Sequence, residues 1–111
     1  MMIELIIFNY LKEKLPVPVL MFNKDEDFEE YVIFEKTSSS EENKVKSATF
    51  AFQSYADTLY EAAKLNEKLK EVIEDIIELD QVSKIKLNSD YNFTDVQSKK
   101  HRYQAVYDIY Y

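Results

Sequence analysis

A chain of 111 residues without a single glycine must make every turn from residues that carry a Cβ. Left-handed backbone, which glycine adopts freely, then falls to short polar side chains such as Asn and Ser. The same lack removes the glycine-rich loops by which P-loop and dinucleotide sites bring backbone N–H groups against phosphate, so those sites are excluded in their usual form. Cysteine is also missing, which rules out disulfides, thiolate zinc sites, iron–sulfur clusters and a cysteine nucleophile. One histidine, His101, leaves no second imidazole for a histidine-rich metal site.

The length fits one domain over residues 1–111, because two halves would each be too short to enclose a core. With 46% apolar residues, burial can offset the entropy of ordering such a chain. Fourteen Lys and Arg against 21 Asp and Glu leave a net charge of −7, which repels the nucleic-acid backbone. The first apolar run, residues 5–8, is far below the roughly 18 residues of a membrane span, and no export leader is visible. The expectation is a soluble, acidic, single-domain protein with no cofactor, no membrane partner and no enzymatic activity.

Ile3, Ile6, Ile7, Tyr10 and Leu11 recur at helical spacing and predict a helix over residues 2–15, ended by Pro16 and Pro18. Residues 17–22 read as a short strand that the prolines confine to a sheet edge. An acidic loop at 24–30 leads into a β-branched and aromatic strand at 31–37. Residues 38–43, SSSEEN, form the most loop-like stretch. Over 46–55, Ala48, Phe50 and Phe52 alternate with Ser47, Thr49, Ala51 and Gln53, so the two strands are expected to pair as a long hairpin.

Asp57 or Thr58 caps the next helix, and Thr58 with Glu61 fits a capping box. Leu59, Ala62, Ala63, Leu69, Val72, Ile73 and Ile76 keep the helical period to about residue 79, giving a rod long enough to cross a sheet face. Ile85, Leu87, Tyr91 and Phe93 then share one side of a strand. After a polar connection at 94–100, Tyr103, Ala105, Tyr107, Ile109 and Tyr111 alternate with Arg102, Gln104, Val106, Asp108 and Tyr110. The order α-β-β-β-α-β-β predicts an α+β fold, a mostly antiparallel sheet of about five strands with two helices packed on it.

Asp90, Asn92, Thr94 and Asp95 space oxygen atoms like the start of a calcium loop. The sharp-turn glycine is lacking, however, and His101 stands where the bidentate Glu belongs, so the run reads as the polar face of a strand. His101 has no Ser or carboxylate at a triad spacing and reads as a solvated junction. Its neighbours Lys99, Lys100 and Arg102 make the only basic run, either a contact for an acidic partner or nucleic acid, or a charged hairpin end. The pairs Asp25/Asp27, Glu29/Glu30, Glu41/Glu42 and Glu74/Asp75 read as loops or an outer helix face rather than a closed acid–base pocket. Nine tyrosines are many for this length. Four of them, Tyr103, Tyr107, Tyr110 and Tyr111, crowd the last strand on both faces, to be covered by the core or by another subunit.

Taken in order, four stretches resemble the tail terminator and related minor capsid proteins of siphophages and Gram-positive prophages. They are the first helix ending in PVPV (16–19), the strand YVIFEKTSSSEEN (31–43), the run SATFAFQSYADTLYEAAKLNEKLKEVI (47–73), and KLNSDYNFTD (86–95) with the closing HRYQAVYDIYY (101–111). The ordered set carries the resemblance, notably Gln53-Ser54-Tyr55-Ala56, the helix start Leu59-Tyr60-Glu61-Ala62-Ala63, and the terminal Arg102-Tyr103 strand.

The resemblance implies an α+β subunit of a homo-oligomeric ring, a hexamer, that caps the tail tube, ends its polymerisation and offers a surface to head-completion proteins. It implies a place in the virion neck, assembly in the bacterial cytoplasm, and DNA passing through the lumen without specific binding. Contact with partners is expected at Asp25 and Asp27, at Ser39, Glu41 and Asn43, at Lys99, Lys100 and Arg102, and at Tyr110. Two alternatives are another head–tail connector and a small cytosolic binding module whose Tyr-rich strand takes a peptide.

Overall fold

Ile3, Ile7 and Leu11 are buried along one side of α1 (Ile3–Lys14) in the computed structural model, which describes residues 2–21, 28–95 and 100–111. Helix α1 stops at Leu15, whose N–H still bonds back to Leu11 O at 2.8 Å, one residue before Pro16. The chain then runs through β1 (Val19–Leu20), β2 (Tyr31–Glu42), β3 (Val45–Ala56), α2 (Leu59–Glu74) with a 3₁₀ turn (Asp75–Glu78), β4 (Lys84–Asn92) and β5 (His101–Tyr110). The architecture is α+β in the expected order, with five strands in the sheet order β1-β2-β3-β5-β4. All neighbours are antiparallel except β1, which lies parallel to β2 at the edge through Val19 and Leu20.

Both helices cover the same face of the sheet. Their apolar residues, Ile3, Ile7 and Leu11 with Leu65, Leu69 and Ile73, together with Ile76 of the 3₁₀ turn, close one core with Phe34, Phe50, Phe52, Ala105, Tyr107 and Ile109. Tyr10 joins the helices by donating to Val72 O at 2.8 Å. The helix start is the expected one: Thr58 is the N-cap and its hydroxyl accepts the Glu61 N–H at 3.1 Å. On α2 the buried residues are Ala62, Leu65, Asn66, Leu69 and Ile73, while Leu59 is exposed.

Residues 38–43 are not the expected loop. Ser38 to Glu42 continue β2 and pair with β3 as far as Glu42↔Val45, and only Asn43 and Lys44 turn the chain. Both sit at positive φ, 52° and 67°, the pattern of the two-residue turns whose twist suits a hairpin. Asn43 thus supplies the conformation that glycine otherwise would. Cross-strand pairing, including the Ser40–Ser47 hydroxyl contact at 2.9 Å, overrides the local preference of the serines for loops. Glu41 and Glu42 accordingly lie on a strand rather than in a loop.

Strand β4 is at its expected place, but its four apolar residues do not share one side. The register slips between Leu87 and Ser89, leaving Asn88 as a bulge. Ile85 and Leu87 lie across from Ile109 and Tyr107 on the helix-covered face, whereas Tyr91 lies across from Gln104 on the other face. The bulge instead brings Asp90, across from Ala105, to the helix side. A second bulge at Thr37 does the same to β2.

Candidate interaction surface

The sheet face opposite the helices is built from alternate residues of β2, β3, β5 and β4. Tyr31 and Tyr55 stack there, with ring centroids 4.7 Å apart and planes at 10°, and Ile33, Leu20 and Phe28 pack around them as a small second cluster. From Tyr55 a one-way run of donors crosses the strands. Arg102 donates to the Tyr55 hydroxyl at 3.0 Å, Tyr55 to Gln53 at 3.1 Å, Gln53 to Gln104 at 2.8 Å, and Gln104 to the Tyr91 hydroxyl at 2.5 Å. Each group uses its partner's vacant valence, so the amides and hydroxyls are locked in one orientation. At the β4 margin Tyr91 and Phe93 meet edge to face at 5.6 Å, both more than two-fifths exposed.

Two residues of the basic run, Lys100 and Arg102, are engaged within the chain. The Arg102 guanidinium lies 4.4 Å from the Phe93 ring centroid and donates to Phe93 O at 2.8 Å, a planar geometry that lysine cannot copy. Lys100 donates to Asp57 at 2.5 Å and to Glu29 O at 3.0 Å, pinning the start of β5 to the loops before β2 and α2. His101 opens β5 opposite Ala56. Lys99, Asp25 and Asp27 lie outside the described residues.

At the far end of the sheet, Asn43 and Tyr110 line a depression of about 350 Å³ with Ser40, Glu42, Val45 and Ser47. Ser39 and Glu41 point to the opposite face, because they alternate with Ser40 and Glu42. The expected contact residues are therefore divided between two ends and two faces rather than gathered in one patch. Tyr110 also carries Lys84 above its ring at 5.3 Å.

Four contacts lie beyond the sequence reading. Asn66, on the buried stripe of α2, donates to Asp90 at 2.7 Å, and Lys70 one turn later reaches the same carboxylate at 2.6 Å. Lys70 is held above its ordinary value by those bonds to Asp90 and then Glu67. The run Asp90 to Asp95 is thus committed in part to fastening β4 to α2. Glu74, read as an outer helix carboxylate, accepts the hydroxyl of the buried Tyr107 at 2.6 Å. A polar residue within an apolar helical stripe is the one signal that pointed to Asn66. No signal marked the Arg102–Tyr55 and Glu74–Tyr107 contacts, since they join distant segments.

Among the described residues no three His, Cys, Asp or Glu side chains group to hold a metal, and no helix is long and apolar enough to cross a membrane. The arrangement offers a stiff, patterned slab with charged margins, suited to holding a partner by shape and hydrogen bonds. Compared with known proteins, the chain matches no family model and no curated protein.

Proposed function

We propose that this chain is a structural subunit of a phage tail, a tail-terminator-like ring component that caps the tube, stops its growth and presents a surface for head joining. The reading starts from the ordered resemblance of the sequence. The observation that carries it is the open sheet: one face has no helix on it among the described residues and is stiffened by the Arg102-to-Tyr91 run, and a hairpin arm projects polar surface on both faces from residue 35 to residue 46. Such a slab supports contact with several neighbours at once, as a ring on a tube requires. No turnover, cofactor or metal enters this reading, and DNA is a passenger that the net charge of −7 per subunit keeps from adhering.

Deleting the gene from an inducible phage tests the role. Overlong tails without heads are the expected result. Tubes of normal length beside detached capsids would move the protein to a neck position, and unaltered particles would remove it from the tail. A peptide-binding module is the second reading, favoured by the exposed Tyr91 and Phe93 rings beside Arg102.

A further inference from the structure

The sheet ends in two unlike edges. On one side β1 covers β2 only at Val32 and Ile33, which leaves residues 35–42 with no strand beyond them among the described residues. On the other side the nine residues of β4 have none. Unpaired strand edges are templates for another strand, and natural proteins blunt them with charge. Here the charges differ in sign. The β2 edge carries Glu35, Glu41 and Glu42, with Lys36 held by Glu4 at 3.3 Å; the β4 edge carries Lys84 and Lys86, with Asp90 held by Lys70 at 2.6 Å. Like edges therefore repel, and unlike edges attract.

Strand direction agrees. The strands β2, β3, β5 and β4 alternate, so β4 runs opposite to β2. When a second copy standing the same way up is set beside the first, its β2 meets β4 as an antiparallel neighbour. The faces agree as well. With Lys84 opposite Glu42 of the next copy, the residues meeting are 86 and 40, 87 and 39, 90 and 36, and 91 and 35. Each pair lies on one face of the sheet, because the bulges at Asn88 and Thr37 fall at the same level. That register also sets Asp90 opposite Lys36, a second pair of unlike charges.

We propose that the β4 edge of one copy joins the β2 edge of the next, antiparallel and head to tail, in the register that places Lys84 against Glu42 and Asp90 against Lys36. A heterologous contact of this kind propagates the sheet from copy to copy and closes a ring when the rotation permits. The inference supplies the subunit contact for the ring reading above and rests on that reading for its setting, although the contact itself is argued from the edges alone.

The lack of native cysteine makes the test direct. Facing residues in this register have Cβ atoms about 5 Å apart, within reach of a short bis-maleimide. The full-length double variant Ser40→Cys/Lys86→Cys, crosslinked at rising protein concentration, is expected to give a ladder of covalent oligomers. A mixture of the two single variants should stop at dimers, and each single variant alone should give none. Lys84→Glu in the double variant should abolish the ladder, and adding Glu42→Lys should restore it. Dimers from one single variant alone would mean a like-with-like edge and overturn the proposal. So would an uncrosslinked chain, whether native mass spectrometry finds it monomeric or joined through another surface. A ladder from a phage whose deletion leaves tails unchanged would keep this contact and discard the tail role; overlong tails without a ladder would do the reverse.

Discussion

The hydroxyl of Tyr107, buried on β5, donates to the Glu74 carboxylate at the last turn of α2 over 2.6 Å, joining the strand between β3 and β4 to the helix that covers it. Burial first, and then the hydrogen bond to Glu74 and its charge, hold the phenol above its ordinary value of 10.0. The unfolded chain ionises this tyrosine near the ordinary value while the folded chain does not. The stability tied to it is therefore complete below pH 10 and falls as pH rises beyond that. Tyr10, raised mainly by burial, and Lys70, raised by its bonds to Asp90, act in the same direction. A urea titration at stepped pH is expected to show stability dropping from about pH 10 upward, less steeply in Tyr107→Phe, which also loses about 1 kcal/mol at neutral pH.

Leu69 lies fully buried where α2 crosses the sheet. Leu69→Ala should lose roughly 2–5 kcal/mol by leaving a cavity. Leu69→Asp should unfold the chain, since it would bury an unpaired carboxylate. Leu59→Asp, at an exposed position of the same helix, should change stability by less than about 0.5 kcal/mol. Circular dichroism melts of the three variants separate these outcomes, and a folded Leu69→Asp protein would mean that the packing face of α2 is another one.

The hairpin turn gives a prediction of opposite sign. Lys44 holds a φ of 67° without the freedom of glycine, at a strain on the order of 1 kcal/mol. Lys44→Gly is expected to stabilise the protein by about that amount, raising Tm by roughly 4 °C. Asn43→Val should destabilise it by about 1 kcal/mol or more, because a β-branched residue tolerates positive φ poorly.

Loss of the Thr58 hydroxyl leaves the Glu61 N–H without its cap. Thr58→Ala should cost about 1 kcal/mol in a chemical unfolding curve, and Thr58→Ser should retain most of the stability.

Arg102 joins Phe93 O, the Tyr55 hydroxyl and two aromatic rings at once. Arg102→Lys is expected to behave nearly like Arg102→Ala, both losing about 1–2 kcal/mol, because an ammonium cannot reach the two acceptors in one plane while lying over the rings. Full stability in the lysine variant would show that charge alone matters there.

The element order, the β2–β3 hairpin and the Thr58 cap were legible in the sequence because each rests on a local period or a short capping pattern. Phe50 and Phe52 announced a strand, and Leu69, Ile73 and Ile76 a helix, by spacing alone. Ser38 to Glu42 were misread because serine favours loops unless a partner strand is already in place, and that partner lies beyond the turn. The contact residues were less legible. For Lys100 and Arg102 the sequence leaves both a partner contact and a charged hairpin end open, because only the fold brings Asp57, Glu29, Tyr55 and Phe93 to them.

Asn88 divides β4 into two frames, one placing Ile85 against the core with the exposed Leu87 on the same face, and the other presenting Asp90 to Asn66 and Lys70. Removing or adding a single residue between Lys84 and Tyr91 would swap the frames downstream, turning a tyrosine inward beneath the helix and a carboxylate outward. Over that span spacing is itself an inherited trait, and mutational drift can alter the letters far more freely than their number.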